Sequence, residues 1–153
     1  MSDYHVYEPK NGHGLKHDPL NSIVAPRPIG WVSTRDAEGR RNLAPYSFFN
    51  LLSYKPPIVG FCSNGWKDSV RNAQATREFV WNLATKPLAE KMNLTSAMVA
   101  TGVSEFELAG LTPEPSRVVG VPRVKESPVS FECKVTQIVA LTNTEGREVS
   151  SWI

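Results

Sequence analysis

The chain has 153 residues, which fits one domain with a sizeable core and is too short for two independently stable domains. Hydrophobic residues make up 41% and charged residues 21%, a balance that excludes an intrinsically disordered chain and a collagen-like one. The formal net charge is +2 and no block of like charges occurs, so we expect no nucleic-acid partner.

No stretch approaches the roughly 18 consecutive apolar residues of a membrane-spanning helix, and the first residues lack the apolar segment of a secretory signal. We therefore expect a cytoplasmic protein with no membrane partner. Cys62 and Cys133 each lie in an apolar run, where cysteine behaves as a small buried side chain, so we expect free thiols. No CxxC pair occurs, and glycines flank His13, so we expect no metal site.

The first 22 residues show no hydrophobic period, and we interpret residues 1–22 as an N-terminal arm and residues 23–153 as the domain. A strand is predicted over residues 29–34, followed by a tight turn in which Asp36 and Gly39 favour a hairpin. The returning strand would bring the residues before the turn close to those after it. Ser33 and Thr34 are therefore expected to lie near Asn42.

Apolar runs at 58–62 and 79–83 are typical of buried strands, and a helix is predicted between them over residues 67–75. The segment Ser104-Glu105-Phe106-Glu107 matches a capping box at the start of another short helix. Apolar and polar residues alternate over 129–136, which predicts a strand with one buried face. The fold class expected is mainly β, antiparallel, with a few short helices, most easily closed as a small barrel.

The last residues, 147–153, have the pattern of a strand that stops on its most apolar side chains. We therefore expect that C-terminal sequence follows and that the barrel is incomplete at its C-terminus in the chain as given.

Two clusters of polar side chains are candidates for ligand binding. The first comprises Arg27, Ser33, Thr34, Asn42, Ser47 and Asn50. Small hydroxyl and amide groups suit a planar ligand that makes many hydrogen bonds and carries a phosphate. The alternative interpretation, which composition alone favours, is that these residues satisfy the backbone of their own turns and strand ends.

The second cluster is the polar turn over residues 63–68, which leads into the predicted helix. A helix N-terminus presents free amide groups and partial positive charge, and Lys67 adds a full charge, so this turn is a candidate phosphate site. The alternative is an ordinary capped helix with Lys67 in solvent. No Walker-type or GxGxxG loop is present.

The segment PRPIGWVSTRDAEGRRNLAPYSFFN, residues 26–50, resembles the flavin reductase-like, FMN-binding split-barrel family. This group includes flavoredoxin and the reductase components of two-component monooxygenases. Three further blocks agree with the family in order and spacing, at residues 56–83, 104–116 and 122–135. Together the blocks extend the resemblance over roughly residues 15–145.

The resemblance implies a six-stranded antiparallel split barrel that forms a homodimer, with FMN in a groove at or near the subunit interface. By position, Ser33 and Thr34 are similar to the strand-end contacts to the flavin. The loop along the ring and ribityl chain corresponds to Asn42, Ser47, Phe48 and Asn50, and the segment near the phosphate corresponds to Ser63, Lys67, Asp68 and Asn72. Family members also continue beyond residue 145, through strands that complete the barrel.

The function implied is an NAD(P)H-dependent flavin reductase, in which NADH or NADPH gives hydride to N5 of the flavin and electrons pass to an acceptor such as a monooxygenase. No acid–base pair or activated nucleophile was found in the sequence, and none is expected to be needed, because the cofactor supplies the chemistry. Two alternatives remain open. They are an FMN-binding electron carrier without a nicotinamide site and a non-catalytic split-barrel binding module.

Overall fold

Two four-stranded antiparallel sheets form the framework of the computed structural model, which describes residues 4–100 and 103–153. The strands are β1 (Gly30–Arg35), β2 (Arg41–Tyr46), β3 (Phe49–Tyr54), β4 (Pro57–Asn64), β5 (Glu78–Asn82), β6 (Pro113–Glu114), β7 (Arg123–Val124), β8 (Ser130–Lys134), β9 (Val139–Thr142) and β10 (Glu148–Trp152). The helices are α1 (Leu20–Ile23), α2 (Asp68–Thr76), α3 (Ala89–Leu94) and α4 (Glu105–Leu108), with 3₁₀ turns at Pro9–Asn11 and Lys86–Leu88.

The strand order is β2-β1-β5-β8 in the first sheet and β3-β4-β10-β9 in the second, and β6 pairs with β7 in a separate ribbon. The prediction of a mainly β, antiparallel chain with a few short helices is confirmed. The described strands do not close into one six-stranded barrel, because β8 and β3 are each paired on one side only.

The β1–β2 hairpin forms as its sequence predicts. Asp36 accepts hydrogen bonds from the amides of Gly39 and Arg40, and Gly39 has φ +87°, a conformation that favours glycine. In the resulting register Thr34 lies opposite Asn42, which confirms the predicted proximity.

Helix α2 packs across β1, β2 and β5. The helix predicted over 67–75 is confirmed with a shift of one residue, and its buried face consists of Ser69, Val70, Asn72 and Ala73. Gln74, next to Ala73, is exposed, because only the stripe facing the sheet is covered.

The core lies between the two sheets and beneath α2. Its buried members include Val32, Tyr46, Phe49, Phe61, Val70, Phe79 and Ile153. A second apolar cluster, around Trp31, Leu43 and Phe106, covers the opposite face of the first sheet, where α3 and α4 contact β2. The site-bearing helix therefore lies on one face of the first sheet and the short helices on the other.

Three local predictions needed correction. The segment after β2 was expected to be a loop, but Phe49–Tyr54 forms β3, so Asn50 is a strand residue. The alternating face of β8 was expected to be buried, but Phe131 is 45% exposed, because no described segment covers it. Ser104 occupies the N-cap of α4 without a side-chain cap bond, so the capping box does not form.

The C-terminal strand predicted over 147–153 is confirmed as β10, which pairs with both β4 and β9. Ile153 is 6% exposed and exchanges two backbone hydrogen bonds with Phe61, at 2.9 and 3.0 Å. The last described residue is thus part of the second sheet. No described helix is long and apolar enough to cross a membrane.

Candidate functional site

The start of α2 is an uncapped helix N-terminus. Lys67 holds the N-cap position with extended backbone angles, φ −111° and ψ 169°, and no side chain caps the helix. In the first helical turn the Val70 amide donates to the Lys67 carbonyl at 3.0 Å, which leaves the amides of Asp68 and Ser69 without an intrahelical acceptor and available to a ligand. Lys67 itself is exposed and forms no ion pair within residues 4–100 and 103–153.

Asp68 would place a negative charge beside any anion at this helix start. Its carboxylate is held by Arg71 one turn later, with an N–O distance of 2.8 Å. Arg40 at the tip of the β1–β2 hairpin adds a second favourable charge interaction with Asp68. The Asp68 charge is therefore largely offset, while its backbone amide still faces the helix start.

The turn before the helix is fixed by Ser63 and Gly65. Ser63 is fully buried, and its hydroxyl donates to the Gly65 carbonyl at 3.0 Å. Gly65 has φ +76°, which an L-residue with a side chain would adopt only at a cost. The turn thereby directs the chain from β4 into the first turn of α2.

Beneath the helix start lies a buried polar network. The Asn42 amide donates to the Ser69 hydroxyl at 2.8 Å, and both side chains are less than 10% exposed. The Tyr46 hydroxyl interacts with Ser69 and Ser63, and burial raises the pKa of this phenol above its ordinary value. These contacts fix the position of α2 relative to β2 and β4.

Thr34 and Asn72 form a second link between the first sheet and α2. The Asn72 amide donates to the Thr34 hydroxyl at 3.2 Å, and neither residue is more than 3% exposed. Ser33, the neighbour of Thr34, points to the other face of the sheet, where its hydroxyl donates to the Pro122 carbonyl at 2.7 Å. The strand residues Ser33 and Thr34 of the first cluster thus lie on opposite faces of the first sheet.

The turn between β2 and β3 presents the remaining candidates. Ser47 is half-buried, Phe48 is 38% exposed, and Asn50 is exposed with its side-chain oxygen accepting the Leu51 amide at 2.9 Å. The Arg27 guanidinium lies over the Phe48 ring, 5.4 Å from its centroid.

Arg27 also connects this turn to the N-terminal arm. Its guanidinium donates to the carbonyls of Asn21 and Val24, at and just after helix α1. Arg27 therefore positions α1 next to the exposed turn at Phe48, and the structure brings Arg27 and Phe48 into contact.

Sequence reasoning missed three residues at this site. Tyr46 and Ser69 belong to the buried network. The sequence signal that could have found them is that each is adjacent to a candidate residue, in the segments PYSFF and KDS. Glu105 is 7% exposed and accepts the Leu43 amide at 3.0 Å. Burial raises the pKa of Glu105 above its ordinary value. Nothing in the sequence indicated the contact between Leu43 and Glu105, which are 62 positions apart.

A groove of about 910 Å³ lies between the free strands β8 and β3. Its walls carry Phe49, Trp81 and Phe131, whose rings follow one another at centroid distances of 5.8 and 4.6 Å. Cys133 lies in the same groove, and burial raises the pKa of its thiol to about 11. Both cysteines are free.

The residues at the helix start fit a phosphate-bearing cofactor. The donor set consists of backbone amides at an uncapped helix and one exposed ammonium group, which is chemistry suited to a phosphate. Within the described part of the chain no group of three or more His, Cys, Asp and Glu side chains is arranged to hold a metal ion.

Comparison with known proteins identifies the family. The model of the flavin reductase like domain matches residues 23–146. An uncharacterized protein of Aquifex aeolicus is 47% identical over 122 residues, which cover 76% of this chain and 62% of that protein. The matched regions cover between 58% and 66% of the length of that protein and of four other relatives found by sequence.

Two solved structures are similar over most of this chain. Nitrilotriacetate monooxygenase component B from Bacillus cereus superposes with a TM-score of 0.85 at 29% identity, covering 99% of this chain and 78% of that one. The 2-nitrobenzoate 2-nitroreductase NbaA of Pseudomonas fluorescens gives 0.76 at 32% identity, covering 87% and 63%. With its family model, its relatives and its antiparallel sheets in agreement, this chain belongs to the flavin reductase-like family.

Proposed function

We propose that this chain is the flavin-binding part of an NAD(P)H-dependent flavin reductase that uses FMN. The observation that supports the proposal is the start of α2, where free amides and the exposed Lys67 lie within a chain of the flavin reductase-like family. An anionic group on the cofactor is what this combination of donors would bind most strongly.

In this proposal FMN extends from the start of α2 to the turn between β2 and β3. Lys67 and the backbone amide of Asp68 hold the phosphate. Ser47, Phe48 and Asn50 line the ring and ribityl chain, and Arg27 covers this turn from the arm side.

The buried candidates take a different role in the proposal. Ser33, Thr34, Asn42, Ser63 and Asn72 are each less than 10% exposed, and each is hydrogen-bonded to a neighbouring element or turn. We assign them to positioning the helix start and the turn rather than to direct contact with the flavin. Their burial and the hydrogen bonds that they already make support this assignment.

When bound, FMN supplies the acceptance of hydride and the onward transfer of electrons. The chain contributes alignment, because hydride transfer requires a donor ring and an acceptor ring held at near-contact distance. Backbone amides and the Arg27 guanidinium stabilise negative charge that develops near the turn. No side chain of the site is assigned a proton-transfer role.

Three further features belong to the same proposal. The exposed apolar side chains along the groove favour a homodimer, since monomers rarely expose a continuous apolar surface of this kind. The similarity to a monooxygenase component B favours a monooxygenase or another electron-acceptor protein as partner. We place the protein in the cytoplasm.

Two measurements on the purified chain test the function. An absorbance band of bound flavin is expected after reconstitution with FMN, and NADH or NADPH oxidation is expected in steady state with excess FMN. Flavin binding without nicotinamide oxidation would instead indicate an electron carrier. A chain that takes up no flavin would contradict the proposal.

A further inference from the structure

Glu105 is a buried carboxylate to which the proposed function gives no role. It is 7% exposed and lies beside β2, the edge strand of the first sheet. One of its oxygens accepts the Leu43 amide of that strand at 3.0 Å. In the parts of the chain that the structure describes, no lysine, arginine or histidine lies within ion-pair distance of Glu105. A negative charge on this carboxyl is therefore not neutralised by an adjacent cation.

Strand β2 connects this carboxylate to the start of α2. Leu43, which donates to Glu105, directly follows Asn42, whose side-chain amide donates to the Ser69 hydroxyl at 2.8 Å. Ser69 is the second residue of α2, and its backbone amide is one of the two that are available to a ligand. Glu105 and the candidate phosphate site are thus held by neighbouring residues of one strand, whose Cα atoms are about 3.8 Å apart.

The charge of Glu105 acts on the groups at the helix start. Burial raises the pKa of Glu105, and repulsion from Asp68, the first residue of α2, raises it further. Burial also raises the pKa of Tyr46, whose hydroxyl interacts with Ser69, and the charges of both carboxylates add to that rise. Charges that share a buried region are screened only weakly by water and salt. An anion bound at the start of α2 would therefore be repelled by an ionised Glu105.

Other charged groups on the neighbouring elements are exposed or already bonded. Arg41 on β2, Glu90 on α3 and Glu107 on α4 are exposed. Lys91 on α3 donates to a backbone carbonyl just after the end of α4, at 2.8 Å. The groups that face Glu105 and respond to its charge are therefore the phenol on β2 and the carboxylate at the start of α2.

We propose that Glu105 is a specificity-determining residue, whose charge sets how strongly the helix start prefers FMN to riboflavin. This inference rests on the proposed function, which places the FMN phosphate at Lys67 and the first amides of α2. The ionised carboxyl opposes the phosphate, and the protonated carboxyl does not. By linkage, a bound phosphate makes Glu105 harder to ionise by the same factor.

The first experiment compares Glu105→Gln with the native chain by fluorescence titration between about pH 5 and 8, with FMN and with riboflavin. Glutamine keeps an oxygen acceptor for the Leu43 amide and carries no charge, so the fold is expected to be retained. At the upper end of the range Glu105→Gln should bind FMN about fivefold more tightly than the native chain, given the strength of charge interactions in partly buried sites. This difference should disappear as the pH falls and Glu105 becomes protonated.

Two comparisons isolate the charge of Glu105. Riboflavin carries no phosphate, so Glu105→Gln and the native chain should bind it equally at every pH. The FMN phosphate itself titrates with a pKa of about 6, but it does so with both chains, and the ratio of their affinities removes this contribution. Glu107→Gln, on the exposed side of the same helix, should match the native chain throughout.

Two results of these titrations would overturn the proposal. A ratio of FMN affinities that is constant with pH would show that the Glu105 charge does not act on the phosphate. An equal gain in affinity for riboflavin would show that the substitution acts on the ring or on the fold instead. In a carboxyl-labelled chain followed by ¹³C NMR, the pKa of Glu105 should rise when FMN binds, and an unchanged pKa would contradict the linkage.

A titration without flavin separates this inference from the proposed function. If the native chain binds neither FMN nor riboflavin, the proposed function fails. Inorganic phosphate, followed by ³¹P NMR, then becomes the probe of the helix start. Tighter phosphate binding by Glu105→Gln than by the native chain at the upper end of the pH range would support the action of Glu105 on an anion. Equal phosphate binding by the two chains, or none by either, would overturn it.

Discussion

Thr34 and Asn42 are register partners on β1 and β2, and both bond to helix α2, Thr34 through Asn72 and Asn42 through Ser69. One rung of the hairpin, the Thr34–Asn42 pair, thus carries two hydrogen-bonded links to α2, whose N-cap is Lys67. Because the helix start is the candidate phosphate site, this rung sets where that site lies relative to the first sheet.

The first prediction concerns this rung. Asn42→Ala leaves the buried Ser69 hydroxyl without its donor and should lower the free energy of unfolding by about 1–3 kcal/mol. Asn50→Ala is the control, because Asn50 is exposed and bonds only to the adjacent amide, and it should stay within about 0.5 kcal/mol of the native chain. Urea denaturation measures both. Equal stability of the two variants would show that the Asn42–Ser69 bond contributes nothing.

The second prediction concerns the phosphate site. Lys67→Ala should weaken FMN by about 1.5–3 kcal/mol, the range for a hydrogen bond to a charged group, and should leave riboflavin unaffected because riboflavin lacks the phosphate. Lys125→Ala removes another exposed lysine and serves as the control. Fluorescence titration of the native chain and both variants with each ligand gives the six affinities. Equal losses for FMN and riboflavin would exclude contact between Lys67 and the phosphate.

The third prediction concerns assembly through the groove between β8 and β3. Leu51→Lys puts a charge on a groove side chain that is 54% exposed, and should convert a homodimer to a monomer with weaker FMN binding. Val118→Lys, at a 70% exposed apolar position outside the groove lining, should leave the dimer intact. Light scattering at micromolar concentration distinguishes them. A native chain that is monomeric and still binds FMN tightly would contradict the prediction.

The fourth prediction concerns Glu105. Burial raises the pKa of its carboxyl in the folded chain, so folding favours the protonated form and stability contributed by this group falls as the pH rises from the unfolded pKa through the folded one. Glu105→Gln keeps an oxygen acceptor for the Leu43 amide and carries no charge. The free energy of unfolding of Glu105→Gln, relative to that of the native chain, should therefore increase as the pH rises from 4 to 7.

Thermal or urea unfolding across that pH range measures the Glu105 effect, and Glu107→Gln on the exposed side of the same short helix is the control. A stability difference between Glu105→Gln and the native chain that stays constant with pH would mean that the Glu105 pKa is not raised by folding.

Local signals predicted the parts of the fold that depend on neighbouring residues. Asp36 and Gly39 specify the hairpin turn whatever surrounds it, and the spacing of Val70 and Ala73 specifies the buried stripe of α2. The register of β1 and β2 follows from the length of that turn.

Contacts between distant segments could not be read in the same way. Glu105 accepts the amide of Leu43, far away along the chain, and the capping-box pattern of Ser104 and Glu107 gave no indication of that contact. The exposure of Phe131 depends on what covers its strand, and alternation alone indicates only which side chains share a face. The sequence did not predict the hydrogen bond between Thr34 and Asn72, because Asn72 lies on a separate element.

The turn from β2 to β3 is where the backbone passes from the first sheet to the second. The Phe48 carbonyl accepts the Cys62 amide at 2.7 Å, while the Phe48 ring remains partly in solvent. The backbone of Phe48 therefore pairs with β4 while its side chain remains exposed. Asn50 likewise has its backbone in β3 and its side chain exposed. The side chains of this turn can accordingly change without altering how the two sheets are joined.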